Sequence, residues 1–369
     1  MELAEKLAAM VPVADARIFF SNSGSEANDS QIKMLRYYGN AIGKPQKKKI
    51  IALDRGYHGV TVAAASLTGL PVMHSHFDLP VEALGILRAD CPHYFRGKVD
   101  DESEDEFVSR LLKNLEQLIY EEGADTIAAF IAEPLMGAGG VIVPPEGYLP
   151  KVQALMNEHG ILLWADEVIC GFGRTGNDFG STTMGIKPDL MSLAKQLSSA
   201  YIPISAAVIP GEMYEAMVDQ STQVGVFGHG YTYTGHPVAC AAALKALEIY
   251  ERDDLFARAA KMGTHMQTRL QRFACHELVG EVRGKGLIGA VELVANKETG
   301  QAFSDGRVGA FAQRACQDAG LLLRVVSGSS VAFCPPLIIE EKQIDEMIEK
   351  FDQALTATLE YAKKEKLIQ

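Results

Sequence analysis

The chain has 369 residues, 47% of them hydrophobic and 22% charged, with a formal net charge of −12. That profile fits a soluble globular protein long enough for two domains, and its acidic balance argues against nucleic acid or an anionic membrane as the main partner. No apolar run reaches membrane-spanning length, and six scattered cysteines without a CxxC pair read as free thiols of a cytoplasmic protein.

The start, MELAEKLAAMVPV, sets Glu2, Glu5 and Lys6 among apolar positions at helical spacing and reads as an amphipathic helix, not a signal peptide. ARIFF (16–20) reads as a buried strand running into SNSGSEAND and a helix. There Ser23, Gly24 and Ser25 stand where free N–H groups and the helix dipole make a phosphate site. The same residues fit a plain Ser N-cap with Glu26 in the first turn, and taken alone the two readings weigh equally. KKIIAL (48–53) leads to DRGYHG, which puts Tyr57 and His58 near the same sheet edge. Tyr57 there either stacks on a flat ligand or is simply buried. Residues 106–120 form a helix with Phe107, Leu111, Leu115, Leu118 and Ile119 on one face. TIAAFIAE (126–133) and GILLWADEV (160–168) are further strands. This alternation implies an α/β unit with a mostly parallel sheet, whose functional residues gather beyond the C-terminal strand ends.

Asp166 and Glu167 end a very apolar strand, where carboxylates are costly unless they meet a cation or a donor. A metal, a pyridinium nitrogen or a helix cap would each serve. GFGRTG (171–176) matches the GxGxxG pattern, but residues 166–170 separate it from the strand and turn residues follow it, so a nicotinamide site is rejected. In PDLMSLAKQLSSAYIP (188–203), Lys195 follows an apolar run. A desolvated amine there would form Schiff bases, and the bland alternative is a snorkelling surface lysine. GHGYTYTGHPVA (228–239) offers Thr232 to an anion; His229, His236, His74 and His76 lack the further ligands a metal needs. Residues 237–250 form a helix with Pro237 in its first turn. Arg324 lies in a strongly apolar strand pattern and needs an anion there, either a structural carboxylate or a substrate. The chain closes with a helix carrying Ile344, Met347, Ile348, Phe351 and Leu355 on one face. A large α/β domain over 1–240 and a smaller α+β domain over 241–369 are expected, with the boundary near 240–250.

NSGSEAND, GYHG, AEP, ADEVICGFGRTG, the lysine after SLA, and GYTYTGHP stand in an order that closely resembles the class III (omega) aminotransferases, a family of fold-type I pyridoxal-phosphate enzymes. The resemblance runs from about residue 2 to the C-terminus. It implies pyridoxal 5'-phosphate as cofactor, and Lys195 as the residue that holds it covalently and moves the proton. Asp166 is implied as partner of the pyridinium nitrogen, Val168 and Tyr57 as the groups on the two ring faces, and Gly24 with Ser25 as the phosphate turn. Thr232 matches a threonine reaching the phosphate of a neighbouring subunit, so a homodimer or a dimer of dimers is expected. Arg324 matches an arginine that binds the substrate carboxylate.

The resemblance further implies a ping-pong transfer from an amine donor to a keto-acid acceptor. Ala138 stands where ornithine- and GABA-type members carry a Glu gate, and Ile169 where they carry Gln. Both resemble the amine–, β-alanine– and polyamine–pyruvate group, which favours pyruvate. Gln196 follows the lysine where the family usually has Gly, and SSA follows where Gly is again common. The chain begins just upstream of the phosphate-turn strand, so the family's further N-terminal segment, which helps line the substrate pocket, is expected to be absent. The competing readings are an aminomutase or decarboxylase on the same scaffold, and a catalytically impaired cofactor-binding protein.

Overall fold

The computed structural model describes residues 1–368. Eleven strands form two sheets among the described residues. The larger contains β1 (Arg17–Ser21), β2 (Lys49–Leu53), β3 (Ile86–Ala89), β4 (Ile127–Ala132), β5 (Leu162–Asp166), β6 (Leu190–Leu193) and β7 (Ser205–Ile209), in the order β1-β7-β6-β5-β4-β2-β3. β2 to β6 pair in parallel, while β7 runs antiparallel to both β6 and β1. The smaller sheet holds β8 (Val279–Lys285), β9 (Ile288–Leu293), β10 (Arg324–Val326) and β11 (Ser330–Phe333), all antiparallel, in the order β10-β11-β9-β8.

The parallel strands are buried on both faces, as crossover helices require. β4 is buried throughout, and in β5 Trp164 is sealed in and donates to Ser192 Oγ at 2.9 Å. The helix Glu104–Glu122 buries Phe107, Leu111, Leu115 and Ile119 and begins with a capping box between Ser103 and Glu106. The closing helix Glu341–Lys364 buries all five of the apolar residues expected on one face. Pro237 occupies the first turn of the helix Pro237–Arg252. The N-terminal helix Glu2–Met10 buries Leu3 and Leu7 in one apolar cluster that also takes in β6, β7 and the small sheet.

This topology places the C-terminal ends of β1, β2, β4, β5 and β6 along one edge. The loops that leave these ends are SNSG, DRGYHG, EP, DEV and AKQ.

Candidate active site

A cavity of about 380 Å³ opens at that edge, lined by Gly24, Ser25, Asn28, Tyr57, His58, Asp166, Val168 and Lys195 among others. They come from four segments: the start of the helix Gly24–Ala41, the loop after β2, the end of β5 and the turn after β6. Ser23 caps the 18-residue helix Gly24–Ala41, accepting from Glu26 N at 3.2 Å, as the capping reading expects. The N–H groups of Gly24 and Ser25, in the first turn, have no partner within the helix and carry the positive end of its dipole. A Cβ at Gly24 would press on the Val168 methyls at about 3.0 Å, so the turn lies close against that residue. The GYHG loop closes over the turn. Val60 N donates to Ser25 Oγ at 3.0 Å, and a Cβ on Gly59, whose φ is +130°, would fall 2.5 Å from the same oxygen.

Asp166 is 2% exposed. Its carboxylate accepts from Asn28 Nδ2 at 3.0 Å, His58 Nδ1 at 2.9 Å and Val168 N at 3.1 Å. Asn28 also donates to the His58 carbonyl, so the three side chains form one rigid unit. Asn28 Oδ1 and His58 Nε2 are buried without partners. Neither Asn28 nor His58 stood out in the sequence as a support for Asp166. The signal that could have found Asn28 is its helical spacing, one turn after Gly24 and Ser25 on the same face.

Glu167 parts company with its neighbour. It is sealed away and accepts from Gly180 N at 2.9 Å, Ser181 N at 2.6 Å and Ser181 Oγ at 2.5 Å, capping the short helix Gly180–Met184. Burial pushes its carboxyl up to about 7, against the pull of those donors. Glu133, in the AEP motif, was also passed over. It accepts from Tyr57 N at 2.9 Å and Gly137 N at 2.8 Å, and burial together with nearby Asp166 pushes it up to about 7. It thereby joins two walls of the site through their backbones.

Lys195 begins a 3₁₀ turn after β6 with φ +42°, a left-handed conformation held by its surroundings. Its side chain is exposed to the cavity, so in the single chain it fits the surface-lysine alternative and not the desolvated amine. Ser199 and Ala200 take φ of +51° and +60°, so the backbone that glycine would adopt freely is kept without it. Gln196 is braced by Tyr250, whose hydroxyl donates to the Gln196 carbonyl at 2.7 Å and accepts from Gln196 Nε2 at 3.2 Å.

A larger space of about 1200 Å³ adjoins the first; both are bordered by Tyr57, Ile169 and Lys195. Gly137, Ala138, Val141 and Arg324 line it. Arg324 opens β10 and is exposed, which corrects the expectation that burial forces an anion upon it. The apolar pattern around it belongs to a hairpin with one open face. Its charge opposes the burial that raises the Tyr57 hydroxyl. Thr232 is exposed and lines neither space in the single chain. Of the histidines of MHSHF and GHGYTYTGHP, His74 bonds the Ala65 carbonyl at 2.9 Å, His229 stacks on Phe19, His236 caps its helix, and His76 is exposed. GFGRTG forms an irregular loop, with Gly173 and Gly176 packed close to Phe256 and Ala260.

Among the described residues, one His–carboxylate group has metal-like spacing, His93 with Glu281 and Glu292. Its oxygens already accept from Arg283 and Arg96, so its donor set is an ion-pair network.

The first cavity thus offers an N–H-rich turn at one end, a braced carboxylate at the other, Tyr57 and Val168 on the walls, and an amine. That suits a flat aromatic group bearing an anion and a cationic ring atom. Comparison with known proteins agrees. The chain is 48% identical over 362 residues to a probable gamma-aminobutyrate transaminase 3, mitochondrial, of Oryza sativa subsp. indica, covering 98% of this chain and 70% of that protein. It is also 48% identical to gamma aminobutyrate transaminase 1, mitochondrial, of Solanum lycopersicum, covering 97% and 69%. Among solved structures, the omega transaminase from Pseudomonas jessenii in complex with PMP superposes with a TM-score of 0.95 at 52% identity, covering 98% of this chain and 79% of that one. The family profile for aminotransferase class-III matches residues 1–355. The chain therefore belongs to the class III aminotransferases, enzymes of the pyridoxal-phosphate fold type I.

Proposed function

We propose that this enzyme moves an amino group from an amine or omega-amino acid to a keto acid, with pyruvate as the acceptor, in a ping-pong cycle. The observation that carries the reading is the convergence of Lys195, Asp166, Tyr57, Val168 and the Gly24–Ser25 turn on one cavity that borders the larger, arginine-lined one. Bound pyridoxal phosphate would supply the electron sink that makes the substrate C–H acidic. In this reading the Gly24 and Ser25 N–H groups would hold the phosphate, and Tyr57 and Val168 would flank the ring. Asp166, steadied by Asn28 and His58, would pair with the ring nitrogen. The Lys195 amine would hold the cofactor and would serve as the base at the substrate carbon. Arg324 receives the substrate carboxylate.

The donor reading draws on the relatives. Those named gamma-aminobutyrate transaminases support an omega-amino acid donor, so Ala138 and Ile169 do not exclude 4-aminobutyrate. A solved structure of a transaminase with L-ala, 51% identical with a TM-score of 0.95 and covering 98% of this chain and 84% of that one, supports the alanine–pyruvate pair. The position of Thr232, outside the cavity of its own chain, supports a homodimer in which it serves the partner's phosphate.

The test is an absorbance spectrum of the protein with pyridoxal phosphate. The visible band of the lysine-bound cofactor should fall on adding amines and return with pyruvate. Lys195→Ala should lose both the band's response and turnover. Normal turnover in that variant would sink the catalytic assignment, and recovery with 2-oxoglutarate but not pyruvate would sink the acceptor.

A further inference from the structure

We propose that Arg283 is a positioning residue for the substrate space, holding in register the two walls that bear Ala138 and Arg324; this rests on the reading of Arg324 as the carboxylate-binding group. Arg283 lies on β8, remote in sequence from every motif discussed, and is 7% exposed. Its guanidinium spends its donors on both walls. Nε donates to the carbonyls of Gly140 and Val141 at 3.1 Å each, and Nη2 to Gly140 O at 2.5 Å and Ser330 Oγ at 3.0 Å. Gly140 and Val141 end the segment 137–141, which lines the space through Gly137, Ala138 and Val141. Ser330 begins β11, the strand paired with β10 and Arg324.

The walls are also joined directly. Ser327, in the turn after β10, donates to Gly139 O at 2.7 Å, and Arg55 Nη2 donates to the same carbonyl at 2.7 Å. Gly139 lies so close to the Arg55 carbonyl that a Cβ would collide with it, which seats the segment on the strand end leading to Tyr57. On its other side, Nη1 of Arg283 meets Glu281 at 2.5 Å and Glu292 at 2.6 Å. Those two carboxylates compensate a buried cation, and a buried pair of this kind is weak evidence for stability as such. Its distinctive feature is the planar fork, which reaches two backbone carbonyls, a hydroxyl and two carboxylates at once. A lysine ammonium has three donors on one atom and cannot span them.

The experiment uses the holoenzyme and three variants, Arg283→Lys, Ser327→Ala and Arg324→Ala. Steady-state kinetics are run with pyruvate, with 4-aminobutyrate, and with an arylalkyl amine that lacks a carboxylate. Ser327 is exposed, so losing its hydroxyl puts no core packing at risk. Arg283→Lys and Ser327→Ala should raise KM for pyruvate and 4-aminobutyrate, by about tenfold and about threefold, with kcat and the visible cofactor band little changed. KM for the carboxylate-free amine should stay put in both. If Arg324→Ala raises the carboxylate KM values and the other two variants do not, or if they depress kcat/KM for all three substrates alike, the positioning role is overturned while the Arg324 reading stands. If Arg324→Ala leaves those KM values unchanged, the Arg324 reading falls and the inference falls with it.

Discussion

Asp166 and Glu167 are adjacent carboxylates at the end of one strand, and alternation along the strand sends them to opposite sides. Asp166 lines the cavity among donors, while Glu167 is sealed against a helix start. Asp166→Asn should keep the fold and the cofactor but lower kcat/KM at least about a hundredfold, or ~2.7 kcal/mol of transition-state stabilisation; steady-state assays would show it. Glu167 makes a prediction about pH. Its carboxyl is raised to about 7 by burial, above the unfolded value. The stability it contributes is therefore complete below about pH 4.5 and is lost as pH rises through about 7. The difference in thermal midpoint between the natural protein and Glu167→Gln should shrink from pH 5 to pH 7.5. A difference that stays constant instead would mean the carboxyl is already ionised in the fold at the lower pH. Glu133, unchanged in both proteins, cancels from this comparison. Composition alone left the two carboxylates alike; the family resemblance singled out Asp166, and the structure places it on the cavity and Glu167 against the helix start.

At the scale of elements, the strand-end rule located the site before any side chain was placed. Loops after β1, β2, β4, β5 and β6 meet because parallel strands bring their C-terminal ends to one edge. The fit between loops was less visible. The GYHG loop lies over the helix Gly24–Ala41 only because Gly59 has no side chain and accepts φ +130°. Gly59→Ala should displace Ser25, destabilise the protein by about 1–3 kcal/mol and weaken cofactor binding. Thermal melts and cofactor titration would measure the two effects, and wild-type affinity would show that the loop can yield. A lone glycine in a sequence does not announce such a contact, since the atom it avoids lies 34 residues away, at Ser25. The hairpin β10–β11 was misjudged in one respect. Its apolar run suggested a buried arginine, but one face of the hairpin is open and Arg324 stands on it.

On the scale of the whole molecule, the two sheets are bound by a shared apolar cluster and by the Arg283 network. Arg283→Met would leave Glu292, only 4% exposed, with a buried charge and fewer partners, and should cost about 3–5 kcal/mol in denaturant unfolding, well beyond the cost of Arg283→Lys. The dimer proposal makes its own prediction. Sedimentation should give two chains of 40.0 kDa, about 80 kDa, and Thr232→Ala should loosen the cofactor without dissociating them. A monomer with full cofactor retention would end that proposal. The sequence by itself determined the fold class and the family, because hydrophobic periodicity specifies elements locally and the ordered motifs identify a family. Only the tertiary structure decided which polar groups line the cavity and which are tied into the surrounding fold. Asn28, His58, Glu133 and Arg283 gain their roles from partners that are mostly remote in the chain, and burial makes those partnerships obligatory.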